Sequence, residues 1–197
     1  MKNEWLMEKI QKTGGIVKTS DLIAWGLTYR MIDELLKEGS LFRVKNGYYG
    51  LGKKEQTQAE WMTTLFPDGV LTMETALYYY GYQKQKPFDW QIAVNKNTSK
   101  ARFSMVYPVV VPIYTEPEVL QLGVAQILIE NCTMAIYNKD RLICDCLKQE
   151  ERFNHEQFKE ILLAYIADEE KNIHQLLSYA KERKVLTKVK YMIGVWL

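Results

Sequence analysis

The sequence predicts an α+β fold, on three observations. Apolar residues recur at helical spacing through the first third of the chain and again from Asn138 onward. Between them lie short β-prone runs parted by turn residues. The dipeptide Asn46-Gly47 stands between Leu41–Lys45 and Tyr48–Leu51, the strongest short-range signal of a hairpin with a type I′ turn. The expected architecture is an N-terminal winged helix-turn-helix over residues 1–54. A mixed domain follows over residues 55–197, with a small, mainly antiparallel sheet and several helices.

The first helix spans residues 3–13, with Leu6, Met7 and Ile10 inward, and Gly14-Gly15 stops it. Ile16-Val17 is an extended link. Thr19 or Ser20 is expected to cap a second helix, which Gly26 ends. Thr28 caps the third, where Ile32, Leu35 and Leu36 form one apolar stripe and Gly39 closes the last turn. In a helix-turn-helix, the second helix of the pair lies in the major groove and its first residues meet base edges. Those residues here are Thr28, Tyr29 and Arg30. The planar fork of Arg30 matches O6 and N7 of guanine. Thr28 and Tyr29 offer hydroxyls to phosphate or base. Lys18, Lys37, Arg43 and Lys45 are phosphate contacts in this reading, with Asn46 at the wing tip.

Residues 52–60 read as a polar linker or the start of the next helix, and Pro67-Asp68-Gly69 as a turn. Thr72 is placed to cap the helix METALYYYGY, whose tyrosines Tyr78, Tyr79, Tyr80 and Tyr82 read as core and rim. Trp90–Val94 alternates like a strand. The loop NKNTSKAR, with Lys96, Lys100 and Arg102, reads as a solvated hairpin tip, or else as a second basic contact. Val106–Tyr114 contains Pro108 and Pro112, which confines it to a sheet edge or splits it. Val124–Ile129 and Thr133–Tyr137 flank a tight hairpin turn at Glu130-Asn131-Cys132. Leu142, Ile143 and Leu147 then share a helix face. Asn154 and Gln157 resemble a capping box ahead of Phe158, Ile161, Leu162, Tyr165 and Ile166. Asn172 opens a helix with Ile173, Leu176, Leu177 and Ala180, and a last one turns Val189, Met192, Ile193 and Trp196 inward.

Composition narrows the function. The chain is 47% hydrophobic and 25% charged, an ordinary globular balance. No apolar run approaches the roughly 20 residues that span a bilayer. The amphipathic start MKNEWLMEKIQKTGG lacks the build of a signal peptide. Three cysteines do not suggest a disulfide framework, so a cytoplasmic protein with no membrane partner is expected. Net charge is +2, but residues 1–54 carry ten Lys or Arg against six Asp or Glu, and the remainder sixteen against eighteen. That asymmetry suits a front that touches phosphates.

Active-site chemistry is not expected. His155 and His174 lie on different helices without a metal-spaced neighbour, and Cys144 and Cys146, two apart on a helix, point in different directions. There is no phosphate-binding loop, dinucleotide fingerprint or nucleophile elbow, so neither metal nor cofactor is expected. Asp140, Arg141, Asp145 and Lys148 gather on one helix and read as a solvated or salt-bridged face.

Four stretches, taken in order, resemble the AbiEi antitoxins of type IV toxin–antitoxin (abortive infection) systems. They are GGIVKTSDLIAWGLTYRMIDELLKEGSLFRVKNGYYGL, DGVLTMETALYYYGY, DRLICDCLKQEERF and NIHQLLSYAKERKVLTKVKYM. The resemblance implies an N-terminal DNA-binding domain that represses its own promoter at inverted repeats, which admit a homodimer on the DNA. It further implies a C-terminal antitoxin domain opposing a nucleotidyltransferase-like toxin without need of a tight complex. It carries over no catalytic residues. Two rival expectations stay open: a protein-interaction module that binds a toxin directly without reading DNA, and, ranked last, a nucleic-acid enzyme built near Asp145.

Overall fold

A computed structural model describes residues 2–51, 57–105 and 107–194. The chain is α+β and divides into two compact units. One comprises Met1–Pro67, Lys100–Val109 and Leu128–Cys132, the other Asp68–Ser99, Val110–Ile127 and Thr133–Leu197. The expected boundary after residue 54, most of the expected linker, Val106 and Trp196 lie outside the described residues.

The first unit runs α1 (Lys2–Lys12), β1 (Ile16–Lys18), α2 (Thr19–Ala24), α3 (Tyr29–Lys37), β2 (Leu41–Lys45), β3 (Tyr48–Leu51) and α4 (Gln58–Leu65). Leu6, Ile10, Leu22, Ile32, Leu35 and Leu41 meet in one core, and Met7 and Leu36 of the expected stripes lie partly buried against it. β3 is the middle strand, antiparallel to β1 and β2. Gly50 on β3 is required by close approach: a Cβ there would stand 2.7 Å from Cζ of Phe42. The Phe42 ring in turn stacks on Trp61 of α4, 5.2 Å between centroids.

Two local expectations fail here. Neither Thr19 nor Ser20 caps α2. Its N-cap is Lys18, without a side-chain bond, and Thr19 N donates to the Gly47 carbonyl at 2.9 Å, because β1 passes straight into the helix. Nor is the Asn46-Gly47 turn of type I′, which needs positive φ at both central residues. Gly47 has φ 78°, whereas Asn46 is not among the positive-φ residues, and the ladder register shifts between Arg43 and Lys45. That bulge supplies twist, which leaves the left-handed conformation to the glycine alone. The paired positive φ angles occur instead at Glu130 (49°) and Asn131 (66°), in the turn that was expected to be tight.

The second set of elements is β4 (Val70–Leu71), α5 (Met73–Tyr79), β5 (Trp90–Asn95), β6 (Val110–Thr115), α6 (Pro117–Leu120), β7 (Val124–Ile129), β8 (Cys132–Tyr137), α7 (Lys139–Lys148), α8 (His155–Ala167), α9 (Ile173–Glu182) and α10 (Leu186–Met192). The sheet order is β6-β5-β4-β8-β7. The expectation of a mainly antiparallel sheet is corrected to a mixed one: β4 is antiparallel to β5, but β5–β6 and β4–β8 are parallel. Parallel neighbours need a crossover of a dozen or more residues. Residues 96–109 supply one, so NKNTSKAR is part of a crossover and not a hairpin tip. β5, inside the sheet, is buried from Trp90 to Val94 instead of alternating. β6 lies at the sheet edge, one of the two outcomes that Pro108 and Pro112 allowed, and begins only at Val110.

Thr72 occupies the N-cap of α5, yet its hydroxyl makes no cap bond and is buried without a partner among the described residues. Asn154 accepts from Gln157 N at 2.8 Å, half of the expected box, while the Gln157 amide turns to Gln83 at 3.3 Å. α7 packs against α5, α8, α9 and α10, and every side chain from Asp140 to Leu147 is buried. No described helix is long and apolar enough to cross a membrane.

Candidate nucleic-acid interface

The predicted contact residues all fall on α3, on β1 and on the β2–β3 hairpin of the first unit. Thr28 is the N-cap of α3, its hydroxyl accepting from Met31 N at 3.3 Å. The oxygen is thereby engaged as an acceptor, and its proton is left to donate outward. One residue on, Tyr29 is 70% exposed, with its hydroxyl open to solvent. The Arg30 side chain is 89% exposed and donates through Nε to Glu34 at 3.1 Å. An exposed pair of this kind is held by well under 1 kcal/mol, roughly, so Glu34 steadies the guanidinium without sequestering it. Lys37 is exposed in the last turn of α3.

The hairpin adds Arg43, exposed and 5.9 Å from the Tyr49 ring, and Asn46, exposed at the turn. Lys18 and Lys45 lie over the ring of Tyr48, at 5.9 and 4.4 Å to its centroid. Among the described residues, Lys18, Lys37 and Arg43 have no acidic partner within ion-pair distance. Exposed cations without an acidic partner cost the fold little and are open to a polyanion.

Lys45 differs from its expected role. It is half-buried, donates to the Arg102 carbonyl at 3.4 Å and lies 5.5 Å from the Phe66 ring. Burial first, then the charges of Arg102 and Lys18, hold its ammonium below the usual lysine range. It is a buttress of the hairpin with one polar end, more than a free phosphate contact. The residue that sequence reasoning underrated is Arg102. It lies in a 3₁₀ turn, Lys100–Phe103, with Nη2 donating to the Leu65 carbonyl at 3.2 Å and its guanidinium 5.2 Å from the Phe66 ring. The two residues are 57 apart in sequence, and the one available signal was the basic content of NKNTSKAR.

The carboxylates near Asp145 are differently placed. Asp140 is 4% exposed, accepting from the Tyr165 hydroxyl at 2.8 Å and from Asn172 N at 2.9 Å. Asp145 is 3% exposed between Nε of Arg141 at 3.1 Å and Nε of Arg183 at 2.6 Å. Both acids are spent on structure. No group of three His, Cys, Asp or Glu side chains suited to a metal occurs among the described residues. The chain matches no protein-family model and no curated protein.

Proposed function

We propose that this protein is a DNA-binding autorepressor and antitoxin, acting in the cytoplasm by binding and not by catalysis. The observation that carries the DNA-binding half is the state of α3 and the β2–β3 hairpin. Their apolar halves fill a core, while Tyr29, Arg30, Lys37, Arg43 and Asn46 face solvent. The element order, with a capped helix followed by a twisted hairpin, is what a winged helix-turn-helix needs to set a helix in the major groove and a wing on the backbone. In this reading Arg30 reads a base edge, Thr28 and Tyr29 contact base or phosphate, and Lys18, Lys37 and Arg43 hold phosphates. The antitoxin half rests on the four stretches that resemble the AbiEi family, with a nucleotidyltransferase-like toxin as the functional partner and inverted repeats as the operator. The enclosure of Asp140 and Asp145 weighs against the reading of a nucleic-acid enzyme built near Asp145.

The test is binding of the intact protein to the duplex upstream of its own gene, followed from low to moderate salt. With three phosphates held by unpaired cations, log affinity should fall against log salt with a slope of roughly −3 per chain. A slope near zero, or equal affinity for unrelated duplex, would reject the repressor. It would favour the rival module, which would then co-purify with the toxin and ignore the promoter.

A further inference from the structure

We propose that the first unit carries a site for a small organic cation, a ring or alkyl body bearing an ammonium group, in a groove between α1 and α3. The groove encloses about 240 Å³, with Trp5, Trp25, Met31, Glu34, Leu35 and Glu38 in its wall. That is below the roughly 300–1,000 Å³ of drug-sized pockets and leaves room for one ring with its charged head. The inference does not depend on the DNA-binding reading, since no residue of the wall is among the proposed DNA contacts.

The rings of the wall already hold a cation. Nζ of Lys9 lies 4.8 Å from the centroid of the Trp5 ring and 4.6 Å from that of Trp25. Indole is the best of the aromatic partners for an ammonium group. Lys9 has no carboxylate partner among the described residues, so the two rings are what its charge meets. Its ammonium is compact and strongly hydrated, and lying there costs it water. An alkylated ammonium, the ion that aromatic cages recognise, surrenders less water in taking the same place. Trp5 is 49% exposed, so a solute can reach its ring.

The charged side chains of the wall decide the sign of the ligand. Both are acids, Glu34 in the last turn of α3 and Glu38 at its C-cap. The helix dipole is negative at that end, where acids are unfavourable and a cation is favourable. Lys37 in the same turn offsets part of this charge, as does Arg30, whose Nε donates to Glu34 at 3.1 Å. Glu38 is exposed and has no ion pair among the described residues. A cation in the groove therefore meets two indole rings and an unengaged carboxylate, while Met31 and Leu35 offer apolar surface to the body that carries the charge. An anion would meet the two acids, and a neutral ligand would leave Glu38 unused.

Calorimetric titration of the full chain with benzyltrimethylammonium, benzyl alcohol and benzoate tests this, because the three share a ring and differ in charge. The ammonium should bind about tenfold tighter than the alcohol, and benzoate should not bind. Glu38→Gln, at an exposed position, should weaken the ammonium about threefold and leave the alcohol unchanged. Trp5→Ala, with its fold checked by circular dichroism, should weaken the ammonium about tenfold. Lys9→Gln should tighten it, because the rings lose the cation that competes for them. Absence of binding, equal affinity for the three probes, or affinity undiminished in Glu38→Gln or in a folded Trp5→Ala overturns the site. Unchanged or weaker binding to a folded Lys9→Gln overturns the sharing of the rings between ligand and lysine. If sedimentation shows dimers that Trp5→Ala dissolves, a second copy of the chain fills the groove and the proposal fails.

Discussion

The two units use arginine in opposite ways. Arg30 on α3 is 89% exposed in its side chain, with one carboxylate four residues on. Arg141 on α7 also has a carboxylate four residues on, at the same 3.1 Å, yet has no exposed surface at all. In sequence the pairs Arg30–Glu34 and Arg141–Asp145 are the same helical device. In the folded chain one is a loosely held charge facing solvent and the other is a structural joint. The lesson is that an (i, i+4) ion pair carries no information about its own strength. Desolvation by the surrounding elements decides that.

The contrast can be broken most severely at Asp145. Asp145→Ala leaves two buried guanidinium groups facing each other, and should cost about 3–5 kcal/mol of stability, read as a lowered urea midpoint. A loss below about 1 kcal/mol would mean that the joint is as weak as the surface pair. Arg30→Ala should sharpen the contrast from the other side. Stability should move by less than about 0.5 kcal/mol, while discrimination at one base pair of the operator falls by roughly 1–3 kcal/mol in competition binding. Loss of stability with unchanged base preference would place Arg30 with the structural arginines. A smaller effect is expected of Lys37→Ala, which should weaken all duplexes alike and make the salt slope shallower by about 0.9. An unchanged slope would remove Lys37 from the phosphate set.

The smallest effect is chemical and concerns the packing of α7. Cys144 and Cys146 are fully buried, and burial first of all pushes the Cys144 thiol up to about 12 and Cys146 well above its usual range. Thiolates are the reactive form. Native protein at neutral pH should therefore react with a thiol reagent at Cys132 alone, and at three positions once denatured. Fast reaction of a second thiol in the native state would show that the helix is less enclosed than its contacts imply.

Much of the first unit was legible because its signals are local. The stripe Ile32, Leu35 and Leu36, the Thr28 cap and the Gly39 stop (φ 70°) each depend on residues within one or two turns, and each appears as expected save that Leu36 is only partly buried. Exposure of Arg30 and Lys37 follows from the same periodicity, since what lies off the stripe of α3 faces out. The hairpin's place was equally readable, but its turn type was not, because the bulge between Arg43 and Lys45 is a property of how β2 meets β3. The half-burial of Lys45 was not legible for a related reason: its surroundings, Phe66 and Arg102, arrive from elsewhere in the chain.

The chain's own order of residues determined most of the element types, the apolar stripes of α1 and α3, and the basic front. Tertiary structure decided the rest: the parallel pairings of β5 with β6 and of β4 with β8, the burial of Asp140, Arg141 and Asp145, and the gathering of Trp5, Trp25 and Glu38 about one groove. The physical reason is range. Helix periodicity, capping and proline's missing donor act over a few residues and are written where they act. Desolvation and charge crowding depend on which distant segments pack together, and a linear pattern does not record that.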